Sequence, residues 1–386
     1  MEIGFAKPED KDKIMAIWQY CFEDSETFVS WYFDAKYNAS NTLVAYEDGL
    51  PVSSLQLVPY RLGFHNREID ISYVEGVDTL PEARGKGYAA ALLKKAICEM
   101  KERGHLISLL LPFRYAFYRR YGWETCYYQK SYTFEPNDLK PLATPYGNLR
   151  PMDFNSDVDV IMQIYGEFSS HRHGYIVRTA EDWRCILYDL SLEEKKGYIV
   201  EDEKGTGQGY ILYGLKHKTF EIFEMGYGNK DAYRGLLWFA YAHSAQADRI
   251  TWKAPADDMT FAFLANPSGG VILKPFVMAR VIDVMKLLRM LCKDVSKSLE
   301  LSIDVKDPIA DWNNGIFRVY DGEVMSSRDV KPDLSCSINT LTQMAMGFIS
   351  PVQAHQMGLL HAGDVYAVEK AEIVFKVKNN FINECY

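Results

Sequence analysis

The segment at residues 84–89 contains the residue types that could bind an anionic ligand. It reads Arg-Gly-Lys-Gly-Tyr-Ala and separates a strand-like alternating run from an apolar helical pattern. The first amides of a helix have no internal partner and lie at the positive end of the helix dipole, so such a junction can bind a pyrophosphate. Glycine lets the backbone approach the ligand, and Arg84 and Lys86 add positive charge. A solvated turn is the alternative for a loop of this composition.

The elements that would position this loop are predicted from hydrophobic periodicity. Residues 69–79 alternate as a half-buried strand does and lead to Pro81. After the loop we predict a helix that stops at Gly104, a buried strand over 105–111 and a short helix over 112–121. The apolar face of the first helix consists of Leu92, Leu93, Ala96, Ile97 and Met100.

The length and the positions of helix breakers predict the domain organisation. At roughly 150 residues per domain, a chain of 386 residues contains two or three domains. Residues 135–155 hold the densest cluster of breakers, which favours a boundary there. We therefore predict α+β domains at 1–145, 146–288 and 289–386, with Asp283 as the N-cap of a helix near the second boundary.

Composition excludes several classes of protein. The formal net charge is −9, which argues against a nucleic-acid partner and favours a cationic one. The seven cysteines are scattered without a C-x-x-C pair, so we expect no disulfide framework, no metal and a reducing, cytoplasmic location. The apolar runs are too short for a membrane span, and the N-terminus does not have the pattern of a signal peptide.

The stretch from 77 to 124 resembles the GNAT superfamily of acyl-CoA N-acyltransferases. It contains Val-Asp-Thr at 77–79, then Pro81, Arg-x-x-Gly-x-Ala, a helix, a strand and Phe-Tyr-x-x-Tyr-Gly-Trp-Glu. The pyrophosphate loop of that superfamily is Gln/Arg-x-x-Gly-x-Gly/Ala, which residues 84–89 match at all three specified positions. The whole chain resembles, more narrowly, the Eis (enhanced intracellular survival) family. Its members join an active GNAT domain, a second degenerate GNAT domain and a sterol-carrier-protein-like domain, each α+β.

The resemblance implies where acetyl-CoA would bind as cosubstrate. Backbone amides at 77–79 would pair with the pantetheine arm, which enters a splay between the strand ending near Thr79 and the strand at 106–111. Asp78 departs from the apolar residue expected at its position, so its side chain must point away from the cofactor. The cofactor-binding residues implied are Val77, Asp78, Thr79, Arg84, Gly85, Lys86, Gly87, Tyr88, Ala89, Ala90, Phe113 and Arg114.

The resemblance also implies two catalytic groups. Tyr118 matches the family's general acid: CoA leaves as a thiolate whose conjugate acid has a pKa of about 8.5, and a phenol of pKa about 10 can protonate it. A packing role, as expected for Tyr115 and Tyr121, is the alternative. The family's base is the α-carboxylate of the last residue, here Tyr386. Its ordinary pKa of about 3.5 is far from that of an ammonium, so the site must shift one of the two or relay the proton through water. A frayed terminus is the alternative for Tyr386.

Acidic and aromatic residues could bind the acceptor. Asp24, Glu26 and Glu384 could line a pocket for a cationic amine, or could belong to a solvated acidic surface. Trp31 could wall that pocket or fill the core. By resemblance the acceptor is an aminoglycoside, another polyamine-like compound or a lysine side chain, acetylated by direct attack in a ternary complex, and the chain forms a homo-oligomer, a hexamer in relatives. The alternative function is binding of a lipid or other apolar ligand through the C-terminal domain, with a vestigial transferase.

Overall fold

A computed structural model of the chain describes residues 2–267, 270–293, 295–327 and 330–384. The chain divides into two compact units. The first contains Met1–Cys126 and Phe276–Asn380, and the second contains Tyr127–Pro275 and Phe381–Glu384. In the described ranges no helix combines the length and the hydropathy needed to cross a bilayer.

The secondary structure alternates strands and helices along the chain. The helices are α1 (Lys11–Cys21), α2 (Glu26–Ala35), α3 (Tyr88–Glu102), α4 (Tyr115–Arg119), α5 (Val158–Ser170), α6 (Ala180–Leu192), α7 (Lys230–Ala242), α8 (Val284–Cys292), α9 (Ile338–Ala345), α10 (Pro351–Gln356) and α11 (Val365–Val374). The strands are β1 (Glu2–Phe5), β2 (Thr42–Glu47), β3 (Leu50–Phe64), β4 (Arg67–Thr79), β5 (Ile107–Leu110), β6 (Glu124–Thr125), β7 (Tyr128–Phe134), β8 (Asn148–Pro151), β9 (Tyr175–Ile176), β10 (Lys196–Glu201), β11 (Gly207–Lys216), β12 (Thr219–Tyr227), β13 (Arg249–Pro255), β14 (Val271–Pro275), β15 (Met278–Val281), β16 (Leu301–Lys306), β17 (Gly315–Tyr320), β18 (Glu323–Ser327), β19 (Leu334–Ser337) and β20 (Leu360–Ala362).

The larger sheet of the first unit has the strand order β1-β2-β3-β4-β5-β15-β6. Its strands pair antiparallel except β4 with β5, which are parallel and joined through α3. Trp18 and Tyr32 from α1 and α2 belong to the core on one face. On the other face α3 buries the apolar residues predicted for it, namely Leu92, Leu93, Ala96, Ile97 and Met100, which confirms that prediction.

The rest of the first unit is a smaller α+β arrangement around the strand order β18-β17-β16-β19-β20. The helix that precedes it, α8, begins after Asp283, whose Oδ1 accepts a hydrogen bond from the Lys286 amide at 3.0 Å. The predicted N-cap is therefore confirmed. The helices α9 to α11 follow α8 in this half of the chain.

The second unit is a mixed sheet with the order β14-β7-β13-β12-β11-β10-β8. Its β12 and β13 are parallel and are joined through α7, as β4 and β5 are through α3. Helices α5 and α6 pack into one hydrophobic cluster and α7 into another. The domain limits at 145 and 288 stay a prediction, and the sheets divide the chain elsewhere. The strand β7 lies in the second sheet, whereas β15 joins the first.

Candidate functional site

Among the described residues, no strand pairs with the end of β4 on its β5 side. The two strands pair only at residues 72–74 and 108–110, whereas β4 continues to Thr79. On its other edge the same stretch stays paired with β3. Its free edge can therefore accept an extended ligand as an additional strand, at the residues predicted to pair with pantetheine.

A β-bulge lies at the start of this free edge. Between the pairs Gln56 with Glu75 and Ser54 with Asp78, β4 has one residue more than β3. Gly76 lies in the bulge with φ +57°, and a Cβ there would overlap the Trp18 ring. Because bulges bend a strand and increase its twist, this one accounts for the separation of β4 from β5.

The loop after β4 leaves the start of α3 without a side-chain cap. Gly85 and Gly87 have φ values of +80° and +87°, a region that favours glycine, and no described residue beyond their chain neighbours has an atom within 4 Å of where their Cβ atoms would be. Gly87 occupies the N-cap position and provides no capping side chain. Tyr88, Ala89 and Ala90 form the first turn of the helix. The first amides of α3 are thus available to an anion.

The two cations of the loop have different partners. The Arg84 Nε donates to the Thr79 carbonyl at 3.1 Å and so ties the loop to the end of β4. The Lys86 Nζ lies 2.8 Å from Glu47 Oε1 in an exposed ion pair. A phosphate at this loop would therefore contact Arg84, which is already fixed to the strand. It would compete with Glu47 for Lys86.

Tyr118 is buried on α4 among aromatic rings. Its side chain is 2% exposed, and its ring is edge-on to Phe113 and Phe117 at centroid distances of 5.5 and 5.1 Å. Burial raises the pKa of its phenol, which keeps it protonated. Within the described part of the chain its hydroxyl has no hydrogen-bond partner. Phe113 is 66% exposed, and Arg114 next to it is also exposed, so both are accessible to a ligand.

The Tyr-Gly-Trp-Glu part of the motif has a structural role. Gly122 has φ +88°, and a Cβ there would overlap the Arg280 guanidinium. Arg280 is fully buried and pairs with Asp307 at 2.7 Å. The same guanidinium lies over the Trp123 ring, with its carbon 5.6 Å from the centroid of that ring. Glycine at 122 therefore makes room for a buried ion pair.

A buried polar cluster that was not predicted from the sequence lies between β3, β4 and α2. We call it the β3–β4 cluster, and it comprises Tyr32, Ser54, Gln56, Glu75 and Asp78. The Tyr32 hydroxyl donates to Glu75 Oε2 at 2.8 Å, and its oxygen lies 3.3 Å from the Gln56 side-chain amide. The Asp78 Oδ1 accepts from the Ser54 amide at 2.7 Å and from its hydroxyl at 3.0 Å. Burial raises the pKa of Asp78 to about 7 and also raises that of Glu75. Polar residues inside strand patterns are the only sequence signal for this cluster.

The residues predicted for acceptor binding fall into two groups. Asp24 accepts a hydrogen bond from the Trp18 indole at 2.9 Å, Glu26 is exposed in the first turn of α2, and Trp31 is half-buried on that helix. Glu384 instead lies in the second unit, buried and 2.7 Å from the Arg178 Nε. Its carboxylate is therefore engaged in a buried ion pair. Tyr386, the predicted base, lies outside the described residues.

Comparison with known proteins gives the family of each part of the chain. Residues 2–126 and 174–281 each match an acetyltransferase (GNAT) domain family, and residues 284–383 match a sterol carrier protein domain. An uncharacterized N-acetyltransferase from Streptomyces avermitilis is 20% identical over 363 residues, which cover 87% of this chain and 86% of that protein.

Solved structures show the same fold over the full chain. A conserved protein of unknown function and probable N-acyltransferase from Enterococcus faecalis has a TM-score of 0.89 at 20% identity, over 100% of this chain and 99% of that one. A GCN5-related N-acetyltransferase from Anabaena variabilis has 0.86 at 21% identity, with both chains fully covered. Eis1 from Mycobacterium abscessus has 0.82 at 18%, also with full coverage of both chains. GNAT acetyltransferases use acetyl-CoA as a cosubstrate. The chain belongs to the GNAT acetyltransferases and has the Eis-like arrangement of two GNAT domains followed by a sterol carrier protein domain.

Proposed function

We propose that this acyltransferase transfers acetyl from acetyl-CoA to a cationic primary amine by direct attack in a ternary complex. One observation carries the proposal: β4 loses β5 as a neighbour after Val74 and then leads through two left-handed glycines to the uncapped start of α3. An extended arm that ends in a pyrophosphate fits that order of features. Pantetheine would pair with residues 77–79, the pyrophosphate would lie on residues 84–90, and Phe113 and Arg114 would flank the cofactor.

The reaction removes two protons from the acceptor nitrogen. An ammonium must lose the first before it can attack the thioester carbon, and it loses the second as the amide forms. The C–S bond breaks, and the departing thiolate takes a proton from the Tyr118 hydroxyl. Burial disfavours the departing thiolate as it disfavours the phenolate, so the raised pKa of Tyr118 is matched in part by a raised proton affinity of the sulfur. By family resemblance the α-carboxylate of Tyr386 takes the first nitrogen proton, and the second passes to the Tyr118 oxygen, which replaces the proton given to sulfur.

The charge of the chain favours a cationic acceptor. The net charge is −9, and the exposed Glu26 adds an acidic group on α2. A field of this sign concentrates aminoglycosides, polyamines or lysine-bearing peptides. We therefore keep these three classes as acceptors. A hexameric assembly rests on the family resemblance.

A panel of amines assayed for released CoA thiol tests the proposed function. It should contain a kanamycin-type aminoglycoside, a polyamine and a lysine peptide. Tyr118→Phe should lower kcat by about 100-fold or more with unchanged CoA affinity, because only the acid is lost. Tyr121→Phe, a buried tyrosine in the same segment, is the matched control and should retain activity. An unchanged rate in Tyr118→Phe would remove the acid from the mechanism.

The terminal base can be tested separately from the side chain that bears it. Deletion of Tyr386 displaces the carboxylate by one residue, whereas Tyr386→Phe keeps the carboxylate and an aromatic ring. We expect the deletion to lower kcat and the substitution to leave it close to that of the wild type. Equal activity in both would exclude the α-carboxylate. A melting temperature raised by a fatty acid and not by acetyl-CoA would instead favour the lipid-binding alternative.

A further inference from the structure

The backbone directly after Tyr118 is hydrogen-bonded by a side chain of the sterol carrier protein domain. The Asn339 Nδ2 donates to the Arg119 carbonyl and to the Trp123 carbonyl, at 3.1 Å in each case. A primary amide has two N–H donors, and both partners are acceptors, so one side chain can make both bonds. Asn339 therefore joins the last residue of α4 to the residue that precedes β6.

The helix α4 is too short to hold its position without contacts from outside. It has five residues, and its N-cap residue, Arg114, makes no side-chain capping bond within the described ranges. A helix of this length is not stable alone in water, and its last carbonyls have no partner inside the helix. The Arg119 carbonyl accepts from the Gly122 amide at 3.1 Å and from Asn339. The end of α4 is thus fixed in part by another domain.

The turn between α4 and β6 packs against the same domain. A Cβ at Gly122 would lie 3.0 Å from a methyl carbon of Ile338, the residue before Asn339, and would overlap the Arg280 guanidinium. That guanidinium is paired in turn with Asp307, a further residue of the sterol carrier protein domain. The turn is therefore held both by hydrogen bonds and by close packing.

The helix that carries Asn339 is itself well anchored. Ser337 caps the start of α9 by accepting from the Thr340 amide at 3.2 Å. The Thr342 hydroxyl accepts from the Val281 amide of β15 at 3.0 Å, which attaches α9 to the larger sheet of the first unit. The Asn339 amide thus extends from a fixed position toward the end of α4.

The hydroxyl of Tyr118 depends on this arrangement for its position. As far as the described residues extend, no hydrogen bond orients that hydroxyl, so the packing of the ring and the backbone of α4 decide where it lies. A displacement of about 1 Å in a reacting group can lower a rate by about 100-fold. We infer that Asn339 is a positioning residue, through which the sterol carrier protein domain places the Tyr118 hydroxyl for protonation of the departing sulfur. This inference rests on the proposed function.

Asn339→Ala should lower kcat about tenfold or more and leave the CoA affinity measured by calorimetry unchanged. The reason is that β4 and α3 form the proposed cofactor site, whereas Asn339 bonds to the end of α4. Gln353→Ala is the matched control, because it removes a hydrogen bond of 2.9 Å from the Ser350 amide at the start of α10, in the same domain. It should keep the wild-type kcat. Equal losses of kcat in the two variants would assign the effect to the domain as a whole and overturn the inference.

A double variant tests whether Asn339 acts through Tyr118. When two residues act through one group, removal of that group abolishes the effect of the other. Asn339→Ala added to Tyr118→Phe should therefore change kcat by less than about twofold. A purely structural role would instead lower kcat by the same factor with or without the phenol, and that result would overturn the inference.

Asn339→Asp is a second variant that does not depend on how the chain tolerates alanine. It keeps the size of the side chain and removes both donors, and a carboxylate is favourable in the first turn of α9. We expect a melting temperature close to that of the wild type and a lowered kcat. A wild-type kcat would overturn the inference.

The outcome for Tyr118→Phe separates this inference from the function on which it rests. A wild-type rate in Tyr118→Phe would contradict the proposed acid and the inference together. A slow Tyr118→Phe beside fully active Asn339 variants would contradict the inference alone.

Discussion

The two GNAT domains use the same strand–loop–helix junction in opposite ways. In both, a strand pairs in parallel with one neighbour for a few residues and then continues without it while it stays paired on its other edge: β4 beyond Val74, and β12 beyond Ile222. The free edge of β4 is open, as far as the described residues extend. At β12 the chain's own C-terminal residues are present, since Asn383 donates to the Phe223 carbonyl at 3.4 Å and to Glu224 Oε2 at 2.7 Å.

The buried carboxylates of the two strands also differ, in their ion pairing and in the direction of their pKa shifts. Asp78 on β4 has no cation bonded to it within the described chain, and burial raises its pKa. Glu224 on β12 is also buried, but Arg178 contacts both its oxygens, at 2.7 and 2.8 Å, and holds the pKa of Glu224 below its ordinary value. We call residues 381–384 the tail, and its Glu384 pairs with the same arginine. On β12 the charge of the buried carboxylate is thus neutralised by Arg178, whereas β4 keeps a buried carboxylate that can titrate near neutral pH.

The two domains also differ at the N-termini of α3 and α7. Gly87 leaves the first amides of α3 uncapped, whereas the Asn229 side chain accepts from the Asp231 and Ala232 amides of α7 at 3.0 and 2.8 Å. A Cβ at Gly228 would overlap the Glu167 carboxylate, so an acidic group also lies beside that loop. In the second domain the chain's own side chains thus satisfy the groups that a ligand could use at the corresponding junction of the first.

The largest effect should come from Arg178→Met, which leaves two buried carboxylates without their cation. Loss of one partner of a buried ion pair costs about 3–5 kcal/mol, and denaturant unfolding of the second unit should show it. Hydrogen exchange should increase at residues 381–384. Arg184→Met breaks an exposed pair with Glu181 and should cost less than about 1 kcal/mol. Equal effects in the two variants would show that the tail does not depend on Arg178.

Gly87→Asn places at the start of α3 the residue type that caps α7. Asparagine tolerates a left-handed φ, so the fold should persist, but its side chain can occupy the amides assigned to pyrophosphate. We expect CoA affinity to fall about tenfold or more, measured by calorimetry. Gly104→Asn has a similar φ of +81° at the other end of the helix and should bind CoA normally. If Gly87→Asn binds CoA as tightly as wild type, the amides of α3 do not hold the pyrophosphate.

Asn229→Ala removes the cap of α7 and should destabilise the chain by about 1 kcal/mol in denaturant unfolding. We do not expect it to create a second cofactor site, because Glu167 and the tail residues still occupy the junction. Calorimetry should therefore give one CoA per chain, as for wild type. A stoichiometry of two would mean that the cap alone had closed the second site.

The smallest effect should come from Lys86→Ala. Its Nζ is exposed and shared with Glu47, so it adds weakly to phosphate binding and is screened by salt. CoA affinity should fall a few-fold at low ionic strength and approach that of wild type in high salt. Lys94→Ala, an exposed lysine on α3 beyond its first turn, should have no effect on either measurement. A loss that persists in high salt would instead indicate a direct, desolvated contact.

Sequence by itself determined the features that depend on neighbours within a few turns of the chain. The loop at 84–89, the apolar face of α3 and the Asp283 cap are of this kind, because capping and helix periodicity operate over three or four residues. Tertiary structure decided the rest. Only strand register, the bulge at Gly76 and the packing of α2 bring Tyr32, Gln56 and Glu75 together, and only long-range contacts place β15 beside β5 and the tail beside β12. The physical reason is that pairing between distant strands depends on the burial of whole faces, which leaves no local pattern to read.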